Sequence, residues 1–173
     1  MKITAVFLTL IVSVLLQMVV ARSAIGGAWR VDLVLVGVVY AAMYWGPAAG
    51  ILVGTLGGLT QDLLSSGIVG VSGLAKTLIG YATGTFAAQF VVVRPQGRVL
   101  VVAAATVVHR VIMVVLYALI DQHWPVVSWS AILGEIVLNG AAAFAAFQAT
   151  ELLPGMISRG RESRRSSIRR RQW

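Results

Sequence analysis

From Ile3 to Ala21 the chain carries no charged residue, and four or five further stretches of similar length and apolarity follow it. A helix needs about 20 apolar residues to cross the hydrocarbon layer, and lipid offers no water to satisfy an unpaired backbone amide. Such a chain reads as one polytopic membrane domain of transmembrane helices, and the expectation is all-α. Only 12% of the residues are charged, against about a quarter in soluble domains.

Charge and Pro/Gly punctuation divide the chain into six candidate spans: Ile3 to Ala21, Val31 to Trp45, Gly46 to Ser65, Ile68 to Val93, Val99 to Ile120 and Ala131 to Leu153. Lys2, the first run and the small residues of "VVARSA" also fit a cleaved signal peptide. The run's length and the spans after it favour retention as a helix. The second span is short and opens with Asp32; Pro154-Gly155 bounds the sixth. The organisation expected is a six-helix membrane domain over 1–157 and a basic tail over 158–173.

Half of the fourteen basic residues lie in that tail: Arg159, Arg161, Arg164, Arg165, Arg169, Arg170 and Arg171. So soon after an apolar helix, they are held at the headgroups, where each gives roughly 1 kcal/mol of attraction to anionic lipid. No basic face with interleaved aromatics occurs elsewhere, so nucleic acid is not an expected partner. With both termini cytoplasmic, ten Lys and Arg fall on the inner side and two, Arg22 and Arg30, on the outer.

Several polar residues interrupt the spans. At 1.5 Å per residue and with alternating helix direction, Asp32, Asp62, Lys76, Glu135 and Asn139 fall in the outer half and Arg110 near mid-depth, beside His109. Charge inside a bilayer costs roughly 2.5 to 3.5 kcal/mol per residue, so these groups are expected to face one another. Asp62 and Glu135 would balance Lys76 and Arg110. The result is either a network fixing helix order or a polar recess opening outward. Asp62 alone also reads as the cap of an outer loop, because "DLLSSG" looks like a helix end. His109 is expected to hydrogen-bond a neighbouring helix, and His123 to sit in an outer loop.

No nucleophile-base-acid order, phosphate-binding loop or metal-ligand spacing is present, and there is no cysteine. The expectation is no enzyme, cofactor or metal.

Gly46, Gly50, Gly54 and Gly58 repeat every four residues, a small-residue face that lets another helix approach closely. Gly73, Thr77, Gly80 and Gly84 repeat the theme in the fourth span. The two faces either pack on each other or receive a partner's helix. As a docking surface they would comprise Gly46, Gly50, Gly54, Gly58, Gly80 and Gly84.

The order "VDLVLVGVVY", a Gly-rich helix ending "GLTQDLLS", then "GVSGLAKTLIGYATG" and a span with a central His resembles the MreD family of rod-shape-determining membrane proteins. The most specific part is "QDLLSSGIVGVSGLAKTLIGY". The family more often has Pro-Asp where this chain has Val31-Asp32. The resemblance implies a non-enzymatic component of the lateral cell-wall elongation machinery in the cytoplasmic membrane. It also implies binding to the single-span protein MreC, alongside MreB, RodZ, RodA and its transpeptidase partner. The fold it implies resembles the six-helix substrate-binding subunits of energy-coupling-factor transporters. The rival expectation is a transport subunit that holds a small molecule in the outward recess.

Overall fold

The computed structural model describes residues 2–23, 31–65, 68–90, 95–121 and 128–169. Those residues form six helices: α1 Lys2–Ser23, α2 Leu33–Trp45, α3 Pro47–Leu64, α4 Val71–Gln89, α5 Pro95–Asp121 and α6 Trp129–Arg169. Among the described residues there is no strand. Arg30, Arg94, His123, Arg170 and Arg171, to which the sequence reading assigned places, lie outside the described residues.

The centre of the bundle is α2, which packs against each of the other five helices. Its sequence, LVLVGVVYAAMYW, is rich in β-branched valine and would suit a strand in water. In apolar surroundings the helix wins because it satisfies every backbone group within one segment. Val34 to Val39, Ala41 and Ala42 are all buried. Leu35, Val36 and Val39 face Ile79 of α4, Val102 and Ala105 of α5, and Ala143 and Phe147 of α6. Val34, Val38 and Ala41 face Val6 of α1 and Ala49 and Val53 of α3.

Three helices contain stretches long and apolar enough to cross a membrane: Ile3–Val20, Gln96–Ile120 and Trp129–Thr150. With 13 residues, α2 is about 20 Å long and falls short of the roughly 30 Å hydrocarbon layer. It is a buried axial helix rather than a lipid-facing one. Gly46 alone joins it to α3, at φ 89° and ψ −178°, a conformation open to glycine and strained for other residues. Pro47 then starts α3 at the position where a missing N–H costs nothing.

The largest interface joins α3 and α4, which run antiparallel. A Cβ on Gly54 would lie 2.6 Å from the Lys76 carbonyl oxygen, and one on Gly58 would lie 2.5 Å from the Cα of Gly73. Gly50 abuts Gly80, and Gly84 abuts Pro47, equally closely. The docking surface expected for a partner's helix is therefore corrected: Gly50, Gly54, Gly58, Gly80 and Gly84 are occupied within the chain. Gly46 belongs to the joint, with no atom near its missing Cβ. The stripe attracts whichever helix is closest, and the six residues between α3 and α4 make that α4.

One boundary moves substantially. Helix α6 continues through Pro154-Gly155 to Arg169, instead of ending at Leu153. Proline removes a single backbone donor, while the Arg, Glu and Met residues that follow are good helix formers. Arg159, Arg161, Arg164, Arg165 and Arg169 thus lie on this helix.

Candidate functional site: a buried polar network

Asp32 precedes α2, and its side chain caps that helix, Oδ1 accepting from Leu35 N–H at 2.9 Å. The second carboxylate oxygen, Oδ2, lies 2.7 Å from Lys76 Nζ. The backbone N–H of Asp32 donates to Asn139 Oδ1 at 2.8 Å. Asn139 Nδ2 in turn donates to Thr106 Oγ1 at 3.2 Å, and the Thr106 hydroxyl donates to the Val102 carbonyl. Lys76 Nζ is also 3.4 Å from His109 Nε2. An ammonium has donors only, so this contact is a hydrogen bond when Nε2 carries the lone pair and Nδ1 the proton. Residues of α4, α5, α6 and the α2 cap, five in all, thus form one connected circuit around the start of α2, its two ends, Thr106 and His109, both on α5.

Burial makes the circuit consequential. Lys76, Asn139 and Thr106 have 0% exposure, and Asp32 and His109 6% each. A lone ammonium there would carry the full desolvation penalty; Asp32 and the His109 nitrogen offset it. The helices place these groups by simple spacing: Thr106 and His109 lie three residues apart on the buried face of α5. Beside the circuit, Arg110 Nη2 lies 3.0 Å from Glu135 Oε2, joining α5 to α6.

Asp62 stands apart. The sequence reading balanced Asp62 and Glu135 against Lys76 and Arg110; the structure keeps Arg110 with Glu135 but pairs Lys76 with Asp32. Asp62 Oδ2 accepts instead from the backbone N–H groups of Gly70, Ser72 and Gly73, at 2.9, 3.1 and 3.4 Å. Gly70, at the N-cap of α4, has no side chain to cap it, and the positive end of the helix dipole favours a carboxylate. A carboxylate at the end of α3 therefore caps the next helix. Of the readings open for Asp62, the structure shows a cap, made at the start of α4 rather than on the outer loop alone.

A cleft of about 380 Å³ lies elsewhere, lined by Val14, Gln17, Met18, Val34, Gln61, Leu64 and Ser65, with none of the network residues among them. Of the two arrangements the sequence allows, the contacts among the described residues are those of a network: Asp32 with Lys76, Arg110 with Glu135, and caps on α2 and α4. Among the described residues, no three His, Cys, Asp or Glu side chains converge as a metal site requires.

Sequence reasoning missed Thr106 and Gln17. Gln17 on α1 donates from Nε2 to the Val31 carbonyl at 3.0 Å and accepts from Leu33 N–H at 2.7 Å, tying α1 to the start of α2. Both are uncharged polar residues inside apolar runs, a signal present in the sequence but overshadowed by the charges. At the far end of α2, Arg98 Nη1 donates to the Tyr44 hydroxyl at 3.1 Å, its guanidinium 5.4 Å from the Phe147 ring centre.

No curated protein and no solved structure matches the chain. A family model does: rod shape-determining protein MreD, over residues 1–147.

Proposed function

The chain belongs to the MreD family of rod shape-determining membrane proteins, and from that premise we propose that it is a non-enzymatic scaffold of the cell-elongation machinery that binds MreC. The observation that carries this reading is the closure of the intramembrane charges on one another: Asp32 with Lys76, Arg110 with Glu135. Groups used in this way hold helices together. Closure also weighs against the transport-subunit reading, which needs the same groups turned toward a ligand.

The proposed topology is multi-pass with both termini cytoplasmic, supported by the ten-to-two asymmetry of Lys and Arg. The arginines from Arg159 onward would then meet anionic lipid on the inner face, with the MreB filament a further candidate partner. RodZ, RodA and its transpeptidase partner are proposed neighbours in the assembly.

Coexpression with MreC, detergent extraction and copurification test the proposal. The two chains are expected to elute together at a fixed ratio. Separate elution of two folded proteins, under extraction that keeps each monodisperse, would sink the scaffold reading.

A further inference from the structure

We infer that the α5–α6 surface around Arg110 docks a transmembrane helix presenting an uncharged hydrogen-bond acceptor, an Asn, Gln, Ser or Thr side chain, to the exposed part of the guanidinium. The inference rests on the scaffold reading and adds to it the surface and the chemistry of the partner.

The starting observation is a difference between the buried charges. Lys76 is wholly enclosed, whereas the Arg110 side chain is 33% exposed while its partner Glu135 is 6% exposed. Arg110 lies two residues beyond the midpoint of the apolar span Gln96–Ile120, about 3 Å from its centre. The bilayer surface is then on the order of 15 Å away, half the hydrocarbon thickness. Nη2 is already committed to Glu135, so the side chain cannot extend to the headgroups as a free arginine would.

The surroundings are apolar. Val107 and Val111 flank Arg110 on α5 and are exposed, and Ile132 and Leu138, one turn either side of Glu135 on α6, are half-buried. Hydrocarbon would suit those four residues and leave the remaining guanidinium N–H groups without acceptors. The exposed face of α1, with Phe7, Leu8, Ile11 and Leu15, presents no such group, and lipid alone covers it adequately.

Charge counting selects the acceptor. Asp32 and Glu135 already pair with Lys76 and Arg110, and Asp62, held by backbone N–H groups, is a third buried carboxylate. A carboxylate on the partner would add one unbalanced charge at mid-depth, whereas a carboxamide or hydroxyl satisfies the N–H groups and adds none.

The test uses the full chain coexpressed with MreC in intact membranes, with the photoreactive residue p-benzoylphenylalanine placed in turn at Val107, Val111, Leu138 and, as a control, Leu8. Adducts are mapped by mass spectrometry. The expected result is an adduct from the α5–α6 positions to a transmembrane segment carrying Asn, Gln, Ser or Thr within one turn of the linkage. Its yield should fall several-fold in the charge-neutral pair Arg110→Leu with Glu135→Leu. Adducts with a second copy of this chain, with lipid only, or with a segment lacking such a residue would overturn the inference. So would an unchanged yield in the paired variant. An adduct to MreC from Leu8 alone would overturn the docking face but leave the scaffold standing; failure of MreC to copurify at all would remove the scaffold itself.

Discussion

Lys76 Nζ lies 2.7 Å from Asp32 Oδ2, so the ammonium of α4 is held by the residue that caps α2. One carboxylate does two jobs there, because Oδ1 completes the first turn of α2 while Oδ2 neutralises Lys76. A buried ion pair is rarely a net gain over well-packed apolar residues, yet removing one partner is severe. Its contribution is therefore to specificity: α2 cannot slide against α4 without separating the charges. Asn139 adds α6 to the same point through the Asp32 N–H.

Gly54→Leu is expected to disrupt the fold rather than a docking surface. The Cβ alone would come within 2.6 Å of the Lys76 carbonyl oxygen, a backbone atom that cannot swing aside. Gly54→Ala should cost about 1–3 kcal/mol, as overpacking does, and Gly54→Leu more. Size-exclusion chromatography and thermal melting of the purified protein check this; a monodisperse Gly54→Leu protein with unchanged melting would refute it.

Asp62→Ala should loosen the start of α4, since the backbone N–H groups of Gly70, Ser72 and Gly73 lose their shared acceptor. A loss of about 1–2 kcal/mol is expected, in the range of helix capping. Asp62→Asn, which keeps an acceptor oxygen, should lose less. Hydrogen exchange should speed up at residues 70–73 before it does at the middle of α4; uniform protection along α4 in the alanine variant would contradict the assignment.

Asn139→Leu removes the acceptor for the Asp32 N–H and the donor to Thr106, both fully buried. The unsatisfied amide should cost about 1–3 kcal/mol. Because the apolar volume is kept, cavity formation does not contribute much. Thermal melting measures the loss, and a stability equal to wild type would show that these bonds hold nothing.

The sequence made some of this plain. Blocks of apolar residues near membrane thickness announced helices, and the desolvation cost of Asp32, Lys76, Arg110 and Glu135 announced that they face inward. Pairing was less legible, because Asp62 and Lys76 share a region of the chain, whereas Asp32 reaches Lys76 only after α2 is seated at the centre. That seating follows from α2 being short and too apolar to expose to water, a property of the packed bundle. The glycine stripe was visible, but its occupant was not: spacing says how close a helix can come and not which helix does. The continuation of α6 past Pro154 was missed because a proline was read as an end where it removes only one hydrogen bond.

The most direct test of a closed internal network is a double-mutant cycle on Asp32 and Lys76, read by thermal stability of the purified protein. Lys76→Met should cost about 3–5 kcal/mol by stranding the carboxylate. Asp32→Asn keeps the α2 cap but strands the ammonium and should cost a comparable amount. Combined, the two should recover much of the loss, giving a coupling energy of roughly 2 kcal/mol or more, and the double variant should still copurify with MreC. Additivity within about 0.5 kcal/mol would mean that the two groups do not act on each other, and the account of the charges as an internal tie would fail.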